Sequence, residues 1–242
     1  MIQVESIIYK TKLKLNKLAT NEHQDIPVED IILNANEAQI KLIKEKVGLN
    51  NLYQAGLDSF KKRYQDLEGL IESHHDHPLT LELVDKKLNK YSASLEDLEP
   101  KLMFYIDAYA LADKGNCKDR IIYVNNDLTK HSDVTVLLNN SNYKPSFEYQ
   151  ETFSTLSNNN IEVFSDGTFE LKSLNLSYLR YPKEIDYAGY TKLNDEASET
   201  QDCELPDYME DELVELIVQL IAGPTENQFA LETSKQRKQI GE

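Results

Sequence analysis

The sequence predicts an α+β fold in which helices come first, a sheet follows and helices return. Three observations carry this reading. Apolar residues recur at helical spacing between Val4 and Leu42; after Pro78 the chain changes to short alternating runs rich in Tyr, Phe, Ile, Val and Leu; and from Asp207 the helical period resumes. The implied division is an N-terminal helical part at 1–78, a β-rich part at 79–190, and an acidic loop with C-terminal helices at 191–242.

The first helix is read from Val4, Ile7, Ile8, Thr11, Leu15 and Leu18, which share one face before the pattern fades at Thr20 and Asn21. A second helix follows Pro27, with Val28, Ile31, Ile32, Ala35, Ala38 and Leu42 on one side and Gly48 as its stop. Asp58 or Ser59 is placed to cap a third, in which Phe60, Tyr64, Leu67 and Ile71 align before Pro78. Strands are expected in "LTLELV", "LMFYIDAYALA", "DRIIYVNN", "PSFEYQETF" and "IEVFSDGTFELKSLNLSYLRYP", with a helical turn or two at "HSDVTVLLNN". Asp166-Gly167 has the composition of a two-residue type I′ turn, so "IEVF" and "TFEL" are expected to pair as a hairpin. The apolar parity changes after Leu171, which calls for a bulge near Ser173.

The last helical stretch carries Met209, Leu213, Leu216, Ile217 and Leu220 in one stripe and Val214, Val218 and Ile221 in a second. Only Glu212, Glu215 and Gln219 are left as a polar edge. A helix apolar over so much of its circumference has to be covered on more than one side. The second stripe, Val214, Val218 and Ile221, is therefore expected to meet a neighbouring subunit or the sheet. Gly223-Pro224 stops this helix, and Thr225 with Gln228 has capping-box spacing for a terminal one.

Composition excludes several function classes. The net charge of −16 argues against a sequence-reading nucleic-acid binder, since phosphate affinity comes largely from Lys and Arg. Two cysteines, Cys117 and Cys203, are too few for a disulfide framework or a thiolate zinc site and read as packing residues of a reducing compartment. The start of the chain lacks the pattern of a signal peptide, and its longest apolar stretch, residues 213–222, is too short to span a bilayer. Charge is also uneven. Residues 195–216 hold ten carboxylates and no Lys or Arg, whereas Lys10, Lys12, Lys14 and Lys17 crowd the first helix and Lys235, Arg237 and Lys238 lie near the end.

Candidate chemistry is sparse. In "ESHHDHP", His74, Asp76 and His77 match three ligand positions of the His-x-His-x-Asp-His pattern of metallo-β-lactamase-type hydrolases, with His75 between them. Glu72, however, stands where the first histidine belongs. Histidines closing a helix also have a plain role at its negative end, and that is the reading adopted. The eight glycines form no phosphate-binding loop. No G-x-S-x-G occurs, and His23 and His131 have no evident catalytic partner. Cys117 sits among basic neighbours in "KGNCKDR" but reads as an inert thiol. Asp207, Glu210, Asp211, Glu212 and Glu215 could hold Mg²⁺; in a first helical turn they are first of all compatible with the dipole. The sequence thus points to no catalytic residue, cofactor or metal.

From "LSYLRYPKEIDYAGY" to "DCELPDYMEDELVELIVQLIAG" the chain resembles head-to-tail connector and neck ring proteins of short-tailed bacteriophages, crAss-like phages in particular. "LNKLATNEHQDIPVEDIILNANEAQIKLIKEK", "DSFKKRYQDLEGLI" and "KGNCKDRIIYV" are similar in texture. The resemblance implies an adaptor-like arrangement: a helical bundle from the N- and C-terminal segments with a β-rich insertion. It further implies a non-enzymatic virion structural protein, assembled in the host cytoplasm as a homo-oligomeric, dodecameric ring. The ring would join portal to adjacent ring or tail proteins, pass DNA through its channel without sequence-specific binding, and touch no membrane. Carboxylates facing such a channel would repel phosphate, and the lysines of the first helix would face a neighbour or the outside. Another tail, baseplate or stopper component is the nearer alternative, and a metal-dependent hydrolase centred on "HHDH" the distant one.

Overall fold

The computed structural model describes residues 1–18, 26–48, 61–73, 78–96, 98–115, 117–124, 128–190 and 197–222. The described helices are α1 (Val4–Leu18), α2 (Val28–Val47), α3 (Lys61–Leu67), α4 (His131–Asn139) and α5 (Glu210–Ala222). With ten strands among the described residues, the protein is α+β. Contacts divide the chain into two compact units, one made of Met1–Leu70 with Pro182–Glu242 and the other of Ile71–Tyr181.

In the first unit α1 and α2 both pack on α5. α1 buries Val4, Ile7, Thr11 and Leu15, one residue per turn, and α2 buries Ile31, Ile32, Ala35, Ala38, Gln39, Leu42 and Ile43. Pro27 precedes α2, where its missing N–H costs no helical bond, and the Gly48 N–H closes the other end on the Lys44 carbonyl at 2.8 Å. Glu29 and Asp30 in the first turn and Lys44 and Lys46 in the last suit the helix dipole. Ahead of α5, Cys203 and Ile2 exchange both backbone hydrogen bonds at 3.0 Å, so the segment before α1 is paired with the segment before α5.

The helix expected to run to Ile71 is shorter. α3 passes into a 3₁₀ turn at Glu68–Leu70, and Ile71–Ser73 form β1, paired antiparallel with Leu179, Tyr178 and Ser177. Cross-strand pairing thus overrides the helical spacing of Ile71. Residues 182–190, expected with the sheet, belong to the helical unit instead.

The second unit holds two sheets. One has the order β1, β10 (Glu170–Arg180), β5 (Leu102–Lys114), β6 (Cys117–Val124), β7 (Glu151–Thr152), with β2 (Leu79–Thr80) also on β10. The other has the order β3 (Glu82–Asp85), β4 (Lys90–Ser94), β9 (Asn160–Phe164), β8 (Ser154–Ser157). Both contribute to one core, in which Tyr91, Ala93, Ile161 and Val163 from the smaller sheet join Ala110, Ile122, Leu174, Leu176 and Tyr178 from the larger. Phe153 and Phe164 stack at 5.0 Å in a second cluster under Val134 of α4.

The bulge expected near Ser173 is present. Leu171 faces Ala112 and Ser173 faces Leu111, leaving Lys172 as the extra residue. The hairpin expected at Asp166-Gly167 is not. β9 pairs with β4 and β8, whereas β10 pairs with β5 in the other sheet. A type I′ turn needs positive φ at both central residues, and here only Gly167 has it, at +85°. The Asp166 carboxylate instead accepts from the Thr168 N–H at 2.8 Å and its hydroxyl at 2.7 Å, turning the chain from one sheet into the other. The true two-residue hairpin joins β8 to β9, where Asn158 and Asn159 have φ of 47° and 62°.

Candidate functional site

The acidic residues of the last helical stretch meet cations of their own chain. Glu210 lies 2.6 Å from Lys10 Nζ, Asp211 3.4 Å from the same nitrogen, Glu215 2.6 Å from Lys14 and Glu212 2.8 Å from Lys46. Asp207 lies 2.9 Å from the N-terminal ammonium. Lys10 is accordingly held above its usual range, chiefly by its hydrogen bond to Glu210. The lysines expected to face outward or toward a neighbour therefore include two, Lys10 and Lys14, that neutralise α5 from within the chain.

Covering of α5 departs from expectation in the same direction. Val214 and Val218 are fully buried and Ile221 is 9% exposed, alongside buried Leu213, Leu216 and Ile217. The second apolar row needs no neighbouring subunit: a single chain covers it, and Val214, Val218 and Ile221 offer no surface for a subunit contact.

Of the other candidates, His23, His74, His75, Asp76, His77, Lys235, Arg237, Lys238 and the terminal helix lie outside the described residues, as does the side chain of Cys117. His131 Nε2 is 2.9 Å from the Leu156 carbonyl and 3.4 Å from Thr155 Oγ1, which ties α4 to β8. Cys203 is fully buried, and burial pushes its thiol up to about 11, so it stays protonated and inert. Among the described residues no three His, Cys, Asp or Glu side chains gather to hold a metal ion, and no described helix is long and apolar enough to cross a membrane.

What the helical unit does present is a groove of about 790 Å³ between α2 and a wall from residues 184–190 and 199–201. Its α2 wall is Glu29, Asp30, Ile32, Leu33 and Asn36; its other wall includes Glu184, Ile185, Asp186, Tyr190 and Glu199. Asn36 joins the walls, its Oδ1 accepting from the Ile185 N–H at 2.7 Å and its Nδ2 donating to the Ile185 carbonyl at 2.9 Å. The second wall is closed by paired backbone bonds between Asp186 and Gln201, at 3.1 and 2.9 Å. The Ser198 hydroxyl accepts from the N–H groups of Gly189 and Tyr190 and donates to the Tyr190 carbonyl.

Asp186 is 6% exposed and accepts from the Tyr190 hydroxyl at 2.7 Å and the Tyr187 N–H at 2.8 Å. Burial, then this hydrogen bond and the charges of Asp186 and Glu29, push the Tyr190 phenol up to about 12. The groove is thus acidic at its rim, with Ile32 and Ile185 buried beneath, a lining that suits a cationic group. Sequence reading missed it, because Asn36 and Ile185 are 149 positions apart. The usable local signal was the Tyr- and Asp-rich stretch around Gly189. No protein-family model matches the chain, and no curated protein is significantly similar to it.

Proposed function

We propose that the chain is a virion structural protein, a subunit of the closed, dodecameric head-to-tail connector ring that links portal to tail and lines the DNA channel. The observation that carries this reading is the division of the chain. Helices from its first and last parts share one unit, tied by Ser6 to Glu210 and Lys10 to Glu210 across some 200 positions, while Ile71–Tyr181 form a separate sheet unit. This division supports the adaptor-like reading, a helical bundle with an inserted β-rich part, that the sequence resemblance implies. The net charge of −16 supports it, because a channel that passes DNA must not retain it. The pairing of Glu210, Glu212 and Glu215 with lysines narrows which carboxylates are available to a channel wall. Glu184 and Glu199 remain exposed on the same unit.

Negative-stain imaging of the purified full-length protein, alone and mixed with its portal, tests the reading. Closed rings, alone or docked on the portal, are expected, together with no retention of duplex DNA at physiological salt. Monomers that ignore the portal, or tight DNA binding, would overturn it.

A further inference from the structure

The groove beside α2 carries four exposed acidic residues, Glu29, Asp30, Glu184 and Glu199, around Leu33, which is 71% exposed. Several cations of the same unit are engaged elsewhere, Lys10 and Lys14 on α5, Lys46 on Glu212 and Lys183 near Glu204. The sheet unit carries a surface of the opposite kind. The turn between β3 and β4, residues 86–89, presents Lys86 and Lys87, adjacent and exposed, followed by Leu88 at 39% exposure. We propose that this turn of one copy docks in the groove of a second copy, Lys86 and Lys87 on the carboxylate rim and Leu88 against Leu33.

Charge and preorganisation favour this occupant. Copies that each carry −16 repel one another, so a contact between them needs cations of one set directly against carboxylates of the other; at physiological salt, charges more than about 8 Å apart are largely screened. Lys86 and Lys87 are the one adjacent pair of exposed cations among the described side chains. Their turn is also held in shape before any contact. The Asp85 carboxylate accepts from the Lys87 N–H at 2.8 Å, Asp85 faces Lys90 across the hairpin, and the Asn89 carbonyl accepts from the Ser165 N–H at 3.0 Å, so docking orders little new backbone. Turn and groove are different surfaces, which makes the contact head-to-tail: each copy gives its turn to one neighbour and its groove to the other. A four-residue turn buries far less than the roughly 1,200 Å² of a stable pairwise complex, so one contact is weak and ring closure, which holds every copy at both ends, makes it durable. The choice of a second copy as occupant rests on the ring reading.

Disulfide trapping between full-length chains tests it, alongside negative-stain imaging of the same samples. In a Cys117→Ser background, a Leu33→Cys chain is mixed with a Leu88→Cys chain and oxidised, and compared with a Tyr9→Cys chain, whose site is exposed on α1, mixed with the same Leu88→Cys chain. Bridges joining the two kinds of chain, identified by mass, are expected to form about tenfold faster at Leu33 than at Tyr9. Lys86→Glu with Lys87→Glu in the Leu88→Cys chain should remove that advantage. Adding Glu184→Lys and Glu199→Lys to the Leu33→Cys chain should restore it, which separates charge matching from damage to the fold. Closed rings that bridge no faster at Leu33, or bridging indifferent to charge reversal, would overturn this contact and leave the ring. Open chains that bridge at Leu33 would keep the contact and overturn the ring, and monomers with equal rates at the two sites would overturn both.

Discussion

Lys14 places its Nζ 2.6 Å from Oε1 of Glu215, and the two side chains are only 20% and 9% exposed. A pair this dry gains little over apolar packing but is costly to break, since removing one partner leaves the other charge buried. Glu215→Leu should lower unfolding stability by about 3 kcal/mol, and Lys14→Met with Glu215→Leu should return to within about 1 kcal/mol of the parent. Urea denaturation of the two variants against the parent decides it.

Thr11 is fully buried on α1 with its hydroxyl unpaired. Thr11→Val keeps the shape and removes the unsatisfied oxygen. It should raise stability by about 1 kcal/mol, read as a higher denaturation midpoint with an unchanged slope.

Ile217 and Val218 are both fully buried on α5. Ile217→Asp and Val218→Asp should therefore fail alike, each burying an unpaired carboxylate at a cost of several kcal/mol. Loss of helical circular dichroism in both is expected. A folded Val218→Asp that only fails to assemble would restore the idea of an exposed second face.

Tyr190 gives the groove a signature at high pH. Its phenol is pushed up to about 12, from an ordinary value of 10.0, first by burial and then by Asp186. Because the folded-state value lies above the unfolded one, the contribution is fully present below pH 10 and is lost as pH rises through 12. Other tyrosines, including Tyr91 and Tyr178, are also raised by burial, so the parent loses stability from several sources across this window. Tyr190→Phe should show a shallower decline between about pH 10 and pH 12, and one fewer late-titrating phenol by ultraviolet absorbance.

Cys203, with its thiol pushed up to about 11, should resist alkylation. In a Cys117→Ser background at pH 8, native protein should label at least about a hundredfold more slowly than unfolded protein, from scarcity of thiolate alone. Labelling at the same rate in both would mean that the Ile2 to Cys203 pairing opens readily.

The helices with a strong period and clear boundaries were legible in the sequence. Pro27 and Gly48 bracket α2, Val4 to Leu15 define α1, and the stripes of α5 begin at Met209. Turn chemistry was legible only in part. Asp166-Gly167 does reverse the chain, but whether the flanking strands pair is decided by competition with β4, β8 and β5, which no local pattern encodes. Asn158-Asn159 carries the type I′ geometry without the glycine that usually advertises it. The apolar second row of α5 is legible as a buried face, but whether the sheet, a neighbouring subunit or the chain's own helices cover it is not, because periodicity reports that a face is covered and not by what. The groove lay beyond sequence reading altogether, since its walls meet only once Asn36 has captured Ile185.

The division of the helical unit between distant parts of the chain also sets an order of events during synthesis. Ser6 and Glu210 are 204 positions apart, so at ribosomal speeds α1 waits roughly 10–40 s for the helix it packs against. The residues of Ile71–Tyr181 are complete before α5 has emerged, and their strands can pair in that interval. Meanwhile the apolar stripes of α1 and α2 lack α5, the helix on which both pack. The nascent chain is thus most exposed to chaperones and to its neighbours on the same message just before α5 leaves the exit tunnel.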